Sequence, residues 1–176
     1  IRSDEIKIYD ENMNSISREE TKTLMSGKSV EKGGFKHYML KEIHEQPTVI
    51  GETLKSFIDP HDRNIVFPEM NFDFKEIQKL SIIACGTSSY AAMVAKNWFE
   101  KYANIPTEVD IASEYRYRSH AHVDNEAVIV ISQSGETADT LAALNNAKKR
   151  NIKTLAIINV MESSISRIAD ASVLTL

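Results

Sequence analysis

The stretch Leu80-Ser81-Ile82-Ile83-Ala84-Cys85-Gly86-Thr87-Ser88-Ser89 runs from apolar residues straight into glycine and hydroxyl residues. A second stretch, Ala127-Val128-Ile129-Val130-Ile131-Ser132-Gln133-Ser134-Gly135-Glu136-Thr137, repeats the arrangement. Short apolar runs rich in β-branched residues and closed by turn residues read as buried strands. The segment after each run is helical in period. Residues 89–102 put Ala91, Val94, Ala95, Trp98 and Tyr102 on one apolar face and leave Lys96, Glu100 and Lys101 outside it. Residues 137–150 turn Leu141, Leu144 and Ala147 inward and finish on Lys148-Lys149-Arg150, a basic end that suits the helix dipole.

Working outward, the runs at 107–111, 154–158 and 173–176 read as further strands, beside those at 80–84 and 127–131. Continuously apolar strands that alternate with helices form a parallel sheet covered on both faces. The expected fold class is therefore α/β: a doubly wound, flavodoxin-like domain of parallel strands in the order 2-1-3-4-5. No internal repeat, low-complexity tract or useful heptad seam interrupts it.

The residues ahead of this domain have a different character. Residues 5–16 alternate loosely around Ile6, Ile8 and Tyr9 and turn through Asp10-Glu11-Asn12, which predicts a hairpin. Residues 18–34, polar and carrying Gly27, Gly33 and Gly34, read as a linker with a boundary near Gly34. From His37 to Phe57 the apolar residues Tyr38, Met39, Ile43, Val49, Ile50, Leu54 and Phe57 recur at partly helical spacing. Pro47 predicts two helices there with a turn between them. Residues 59–74, with Pro60 and Pro68, read as irregular. The sequence thus divides as 1–34, 35–74 and 75–176.

Composition narrows the function. A chain of 176 residues with 42% hydrophobic content can bury a core. The net charge of -4 and scattered basic residues exclude the electrostatic footprint of a nucleic-acid binder. The single cysteine, Cys85, rules out an internal disulfide framework and a multi-cysteine metal site, and makes the cytoplasm the simplest address. No apolar run approaches the roughly 20 residues that span a bilayer, so no membrane association is expected. The chain opens at Ile1 without an initiating Met and closes on the apolar run Val173-Leu174-Thr175-Leu176, from which a piece of something longer is expected.

The chemistry concentrates where strands give way to helices. Residues 85–89 and 132–137 both lie at carboxyl ends of predicted strands and at helix N-termini. Such a terminus offers unpaired N–H groups and about half a positive charge, so hydroxyl-rich turns there suit a phosphate. Gly86 and Gly135 let the backbone approach a ligand or take positive φ. In the 2-1-3-4-5 order the first and third strands are neighbours, and the crevice at their carboxyl ends is the ligand position. Taken alone, either loop reads equally well as ordinary Ser/Thr helix capping.

Other readings fit poorly. Neither loop has the lysine and spacing of a P-loop or the glycines of a dinucleotide fingerprint. A nucleophile elbow needs glycine two residues before its serine, where Ser132 stands before Ser134. Cys85 reads as a small packed residue beside the crevice. His37, His44, His61, His120 and His122 match no zinc helix motif, and no metal is assigned. The run Glu114-Tyr115-Arg116-Tyr117-Arg118 reads as a short helix or loop with a surface or subunit contact as its functional option.

Three segments carry a resemblance. Ala84-Cys85-Gly86-Thr87-Ser88, Ile111-Ala112-Ser113-Glu114 and Ser132-Gln133-Ser134-Gly135-Glu136-Thr137-Ala138-Asp139-Thr140-Leu141 resemble the first sugar isomerase (SIS) domain of glutamine–fructose-6-phosphate aminotransferases. The segment from His37 to Pro47 resembles the start of that family's isomerase region, and residues before Gly34 resemble the tail of its glutaminase domain. The resemblance implies that Ser132, Ser134 and Thr137 hold the phosphate of fructose 6-phosphate with help from Gln133 and Ser88, while Cys85, Gly86 and Thr87 line the sugar side. It implies an enzyme that makes glucosamine 6-phosphate from fructose 6-phosphate and glutamine without a cofactor, passes ammonia between domains, and dimerises through its isomerase regions. It places the catalytic residues outside this stretch: an N-terminal cysteine in the glutaminase domain, and a glutamate, a histidine and a Schiff-base lysine beyond the first SIS domain. Two other readings use the same fold. A sugar-phosphate-sensing regulator predicts a DNA-binding helical domain where a hairpin-like, acidic segment stands, and a stand-alone phosphosugar isomerase does not call for the long Glu45-Gln46-Pro47 lead-in.

Overall fold

The computed structural model describes residues 6–18, 31–67, 73–121 and 123–175. The chain divides into two compact units, Ile1–Gln46 and Pro47–Leu176. In the first, β1 (Ile8–Tyr9) pairs antiparallel with β2 (Ser15–Ile16). Asp10 builds the turn between them: its Oδ1 accepts from the amides of Asn12 and Asn14 at 2.9 and 2.8 Å. The predicted hairpin is thus present, while most of the predicted linker, residues 19–30, lies outside the described residues.

Helix α1 (Tyr38–Phe57) corrects the expectation of two helices, because it runs unbroken through Pro47. Proline removes one bond from the ladder, a local loss that a helix of 20 residues absorbs. Its apolar residues stay largely on the outside: Met39, Ile43, Ile50 and Leu54 are all exposed. Beyond it, Ile58 and Ile65 form an isolated antiparallel bridge, and a short 3-10 turn spans Phe74–Glu76. Pro68 lies outside the described residues.

The second unit holds the sheet. Its strands are β3 (Lys79–Ala84), β4 (Thr107–Ile111), β5 (Glu126–Ser132), β6 (Lys153–Ile158) and β7 (Ala171–Leu174). They lie in the order β4-β3-β5-β6-β7, and every pairing is parallel. This is the predicted 2-1-3-4-5 doubly wound arrangement. The last strand starts two residues earlier than expected, because its pairing with β6 begins at Ala171 opposite Leu155. Leu176 lies outside the described residues.

Between the strands run α2 (Thr87–Trp98), α3 (Ala112–Tyr117), α4 (Ala138–Lys149) and α5 (Ser164–Ile168). The pleat sends Ile83, Val128, Val130 and Ile158 to one face, where Tyr115 of α3, Ala143, Leu144 and Ala147 of α4 and Ile165 of α5 close over them. Leu80, Ile82, Ala127, Ile129 and Leu155 point to the other face, against Ala92 of α2. Alternation within a continuously apolar strand fills both cores, which is why these runs lack a polar face.

The inner face of α2 differs from the sequence expectation. Ser89 and Ala92 are buried and Ala95 and Phe99 pack partly behind them, whereas Val94, Trp98 and Tyr102 are exposed. The helix also starts at Thr87 and widens into a π turn over Phe99–Ala103, so the phase read from residues 89–102 is rotated. In the 114–118 run Tyr115 is buried, and its ring packs on His120 at a centroid distance of 3.9 Å. His122 lies outside the described residues.

Candidate functional site

Strands β3 and β5 are hydrogen-bonded neighbours, with Ala84 opposite Ile131 at their carboxyl ends. The residues beyond those ends therefore leave the sheet side by side. Cys85 and Gly86 lead into α2, whose first turn holds Thr87, Ser88 and Ser89, and Gln133 to Thr137 lead into α4. A contact ties the two: Thr140 Oγ1 of α4 lies 3.8 Å from Cys85 Sγ. The structure thus brings Cys85, Gly86, Thr87, Ser88, Ser132, Gln133, Ser134 and Thr137 to one edge of one sheet.

The first loop turns at Gly86, with φ 56° and ψ −135°. That conformation belongs to glycine, because a Cβ crowds the backbone there. Gly86 O accepts from the amide of Ser89 at 3.0 Å and from its hydroxyl at 2.6 Å, which starts the helix. Gly86 and Thr87 are exposed, Cys85 and Ser88 half-buried.

The second loop is tighter. Ser132 Oγ, buried, accepts from the amide of Gly135 at 3.1 Å and lies 3.1 Å from Thr137 Oγ1. Ser134 Oγ accepts from the amide of Glu136 at 3.2 Å. Gln133 donates its side-chain amide to Asn159 Oδ1 at 3.2 Å and accepts the Asn159 amide on its own carbonyl at 3.2 Å. Asn159 in turn donates to Thr175 O at 2.6 Å.

The two open readings of these hydroxyls separate on the caps. The N-cap of α2 is Gly86, which has no side chain, and Thr137 at the N-cap of α4 makes no side-chain cap bond. Elsewhere Asp73 caps its 3-10 turn and Ser163 caps α5 with side-chain oxygens, while α3, with Ile111 at its N-cap, has no side-chain cap. The N-cap residues of the two helices at the crevice therefore supply no side-chain acceptor to the first-turn amides. That pairing of uncapped helix N-termini and hydroxyls suits an oxyanion.

The loops contain no lysine, arginine or histidine, and Glu136 is their one carboxylate. Glu136 Oε1 accepts the Ser164 amide at 2.6 Å, which holds its carboxyl below the usual glutamate range. The nearby Arg116 is paired with Asp139 in the first turn of α4, at 3.7 Å. Such a site can hold and orient an anion; it offers no group placed for Schiff-base chemistry.

A cavity of about 440 Å³ lies elsewhere, beside the edge strand β7, between Phe57, Phe67, Ile158, Met161 and Leu174. Its lining is mainly apolar, with Ser56 and Ser172 as its polar residues, and no long helix begins there, so its size does not make it the anion site.

The β6–α5 loop escaped sequence reading. Asn159, Ser163 and Ser164 brace the second loop, yet Ser163-Ser164 preceding a short helix reads only as a cap. The signal that could have pointed there is Glu136, the one carboxylate among the hydroxyls of the second loop, which calls for a donor from a neighbouring segment.

Residues 73–176 match the SIS domain model. The chain belongs to the SIS domain family. It is 47% identical over 170 residues to a glutamine–fructose-6-phosphate aminotransferase [isomerizing] of Bradyrhizobium diazoefficiens, a match covering 96% of this chain and 28% of that protein. To the enzyme of the same name from Clostridium tetani it is 47% identical over 171 residues, covering 95% and 28% respectively. The chain thus spans under a third of the length of these curated relatives. Among solved structures it is similar to the C-terminal domain of glucosamine-fructose-6-phosphate aminotransferase from Francisella tularensis, with a TM-score of 0.73 and 44% identity over 82% of this chain and 41% of that one. Among the described residues no helix is long and apolar enough to cross a membrane.

Proposed function

We propose that this SIS domain binds fructose 6-phosphate, and its aminated product glucosamine 6-phosphate, in the crevice between the two loops. The observation that carries the reading is the pair of helix N-termini, on adjacent central strands, whose amides no side chain caps. The phosphate sits against Ser88, Ser132, Gln133, Ser134 and Thr137, and Cys85, Gly86 and Thr87 border the sugar. N–H and hydroxyl donors fixed by the loops and helix termini provide charge-assisted hydrogen bonds without the long-range field of a basic patch.

The chain serves as the first sugar-phosphate-binding part of the isomerase region in a longer glutamine–fructose-6-phosphate aminotransferase. Support comes from the names of the relatives and from the match over nearly the whole chain. In that setting a glutaminase domain supplies ammonia, a second SIS domain completes the sugar site, and the acid, base and Schiff-base groups lie in those other parts. Residues 1–34 belong with the glutaminase domain and its linker, residues 35–74 lead into the isomerase region, and two such regions pair as a homodimer in the cytoplasm.

The test is substrate binding in the full-length polypeptide. Ser134→Ala and Thr137→Ala should each weaken fructose 6-phosphate binding by about 1.5 to 3 kcal/mol, the range for a hydrogen bond to a charged group. A Michaelis constant for the sugar phosphate that neither substitution changes would overturn the reading.

A further inference from the structure

The phosphate-type loop 132–137 carries a negative side chain, an arrangement that by charge alone opposes an anionic ligand. Where that side chain goes explains its presence. Glu136 Oε1 takes the Ser164 amide at 2.6 Å, at the first residue of α5. One residue back, Gly135 O accepts the Ile165 amide at 3.1 Å. Gly135 itself, at φ +66°, lies so close to the β6–α5 loop that a Cβ on it would meet Ser163 Oγ at 2.0 Å. Ser163 is buried and cannot withdraw toward solvent.

We infer that Glu136 is a positioning residue, fixing the second loop by clasping the Ser164 amide so that Ser134 and Thr137 are held in their ligand-binding geometry. This rests on the sugar-phosphate reading of the crevice. Glu136 sits between Ser134, whose Oγ accepts the Glu136 amide at 3.2 Å, and Thr137 at the helix cap. Movement of its backbone therefore displaces a donor on each side. What the clasp requires of the side chain is an acceptor oxygen, and a carboxamide provides one as well as a carboxylate.

Substitution from either partner tests this in the full-length polypeptide, with fructose 6-phosphate as the titrant in calorimetry. Glu136→Ala should weaken binding up to about fivefold, the scale of an exposed charged contact. Glu136→Gln should restore wild-type affinity or exceed it, since it keeps the acceptor and removes the opposing charge. Ser164→Pro removes the donor with little strain: Ser164 is the first helical residue, where proline is tolerated, and Ser163 at φ −74° and ψ 162° already has the backbone favoured before proline. It should match Glu136→Ala, and the double variant should add nothing further.

Wild-type affinity in either Glu136→Ala or Ser164→Pro overturns the inference and leaves the site reading intact. So does a Glu136→Gln protein as weak as Glu136→Ala, which would make the charge and not the clasp the operative feature. No binding by the wild-type protein sinks the site reading, and the positioning role with it.

Discussion

A Cβ on Gly86 would meet nothing within 4 Å, whereas on Gly135 it would collide with the Ser163 side chain. The two loops have similar residues, the same relation to a strand and a helix, and positive φ at the glycine, yet one stands open and the other is clamped. The difference lies in what the topology puts beside them. β5 has β6 as its outer neighbour, so the β6–α5 loop comes up against residues 132–137. β3 has β4 on its other side, and there the chain enters α3 directly at Ala112. A loop's freedom is thus set by its neighbour's connection and not by its own composition.

The largest effect expected from this contrast is at the glycines. Gly135→Ala combines a disfavoured φ with a clash against a buried side chain, and should destabilise the domain by about 3 kcal/mol or more. Gly86→Ala has only the backbone penalty, about 1 to 3 kcal/mol, since open space receives the methyl. Denaturant unfolding of the two variants checks the order. Equal losses would mean that Ser163 yields and that the second loop is no more constrained than the first.

A smaller effect separates the loops by pH. Glu136 titrates below the usual glutamate range because of its bonds to Ser164, with a lesser contribution from Arg167. A lowered folded-state value means that the clasp is at full strength above the ordinary glutamate range and is lost as pH falls through the lowered one. Amide-exchange protection at Ser164 should therefore drop in that acid window. Protection at Ser89, whose amide bonds to Gly86 O in a loop without a carboxylate, should hold through it. Parallel loss at both amides would point to general unfolding instead of a local clasp.

The sheet was legible because parallel strands buried on both faces are mainly apolar, as in the run 127–131, and the strand order because runs alternating with helices suit the doubly wound arrangement. The second loop was legible because glycine and hydroxyls crowd the end of such a run. Helix phase was harder. In α2 and the π turn that follows it the buried positions include Ser89 while Trp98 and Tyr102 face out, so hydrophobicity and burial disagree there. Pro47 misled because proline's cost is local and a long helix absorbs one lost bond. The bracing by Asn159, Ser163 and Ser164 was invisible because those contacts join residues some 26 to 28 positions apart through ordinary cap residues.

Charge gives the last contrast and the finest prediction. At the amino end of the sheet, buried Glu126 lies between Lys79 at 3.7 Å and Arg150 at 4.0 Å, with Ser81 donating to it at 2.8 Å. At the carboxyl end the loops have no basic residue at all. If backbone amides, hydroxyls and helix termini supply the attraction for phosphate, that attraction acts within the first turn and is shielded by the ligand itself. A lysine-rich site would act across a Debye length of about 10 Å at 0.1 M salt and weaken as salt shortens it. Sugar-phosphate affinity in the isomerase region should then change little across a tenfold range of a non-competing salt. It should rise between about pH 5.5 and 7.5, as the phosphate passes its second ionisation near pH ~6 and each donor faces a fuller charge. Glu136 stays ionised throughout that window, since its carboxyl titrates below the usual range, so the rise belongs to the ligand. Calorimetry over both ranges decides it: a steep loss with salt, or a flat pH profile, would assign the phosphate to basic residues outside these two loops.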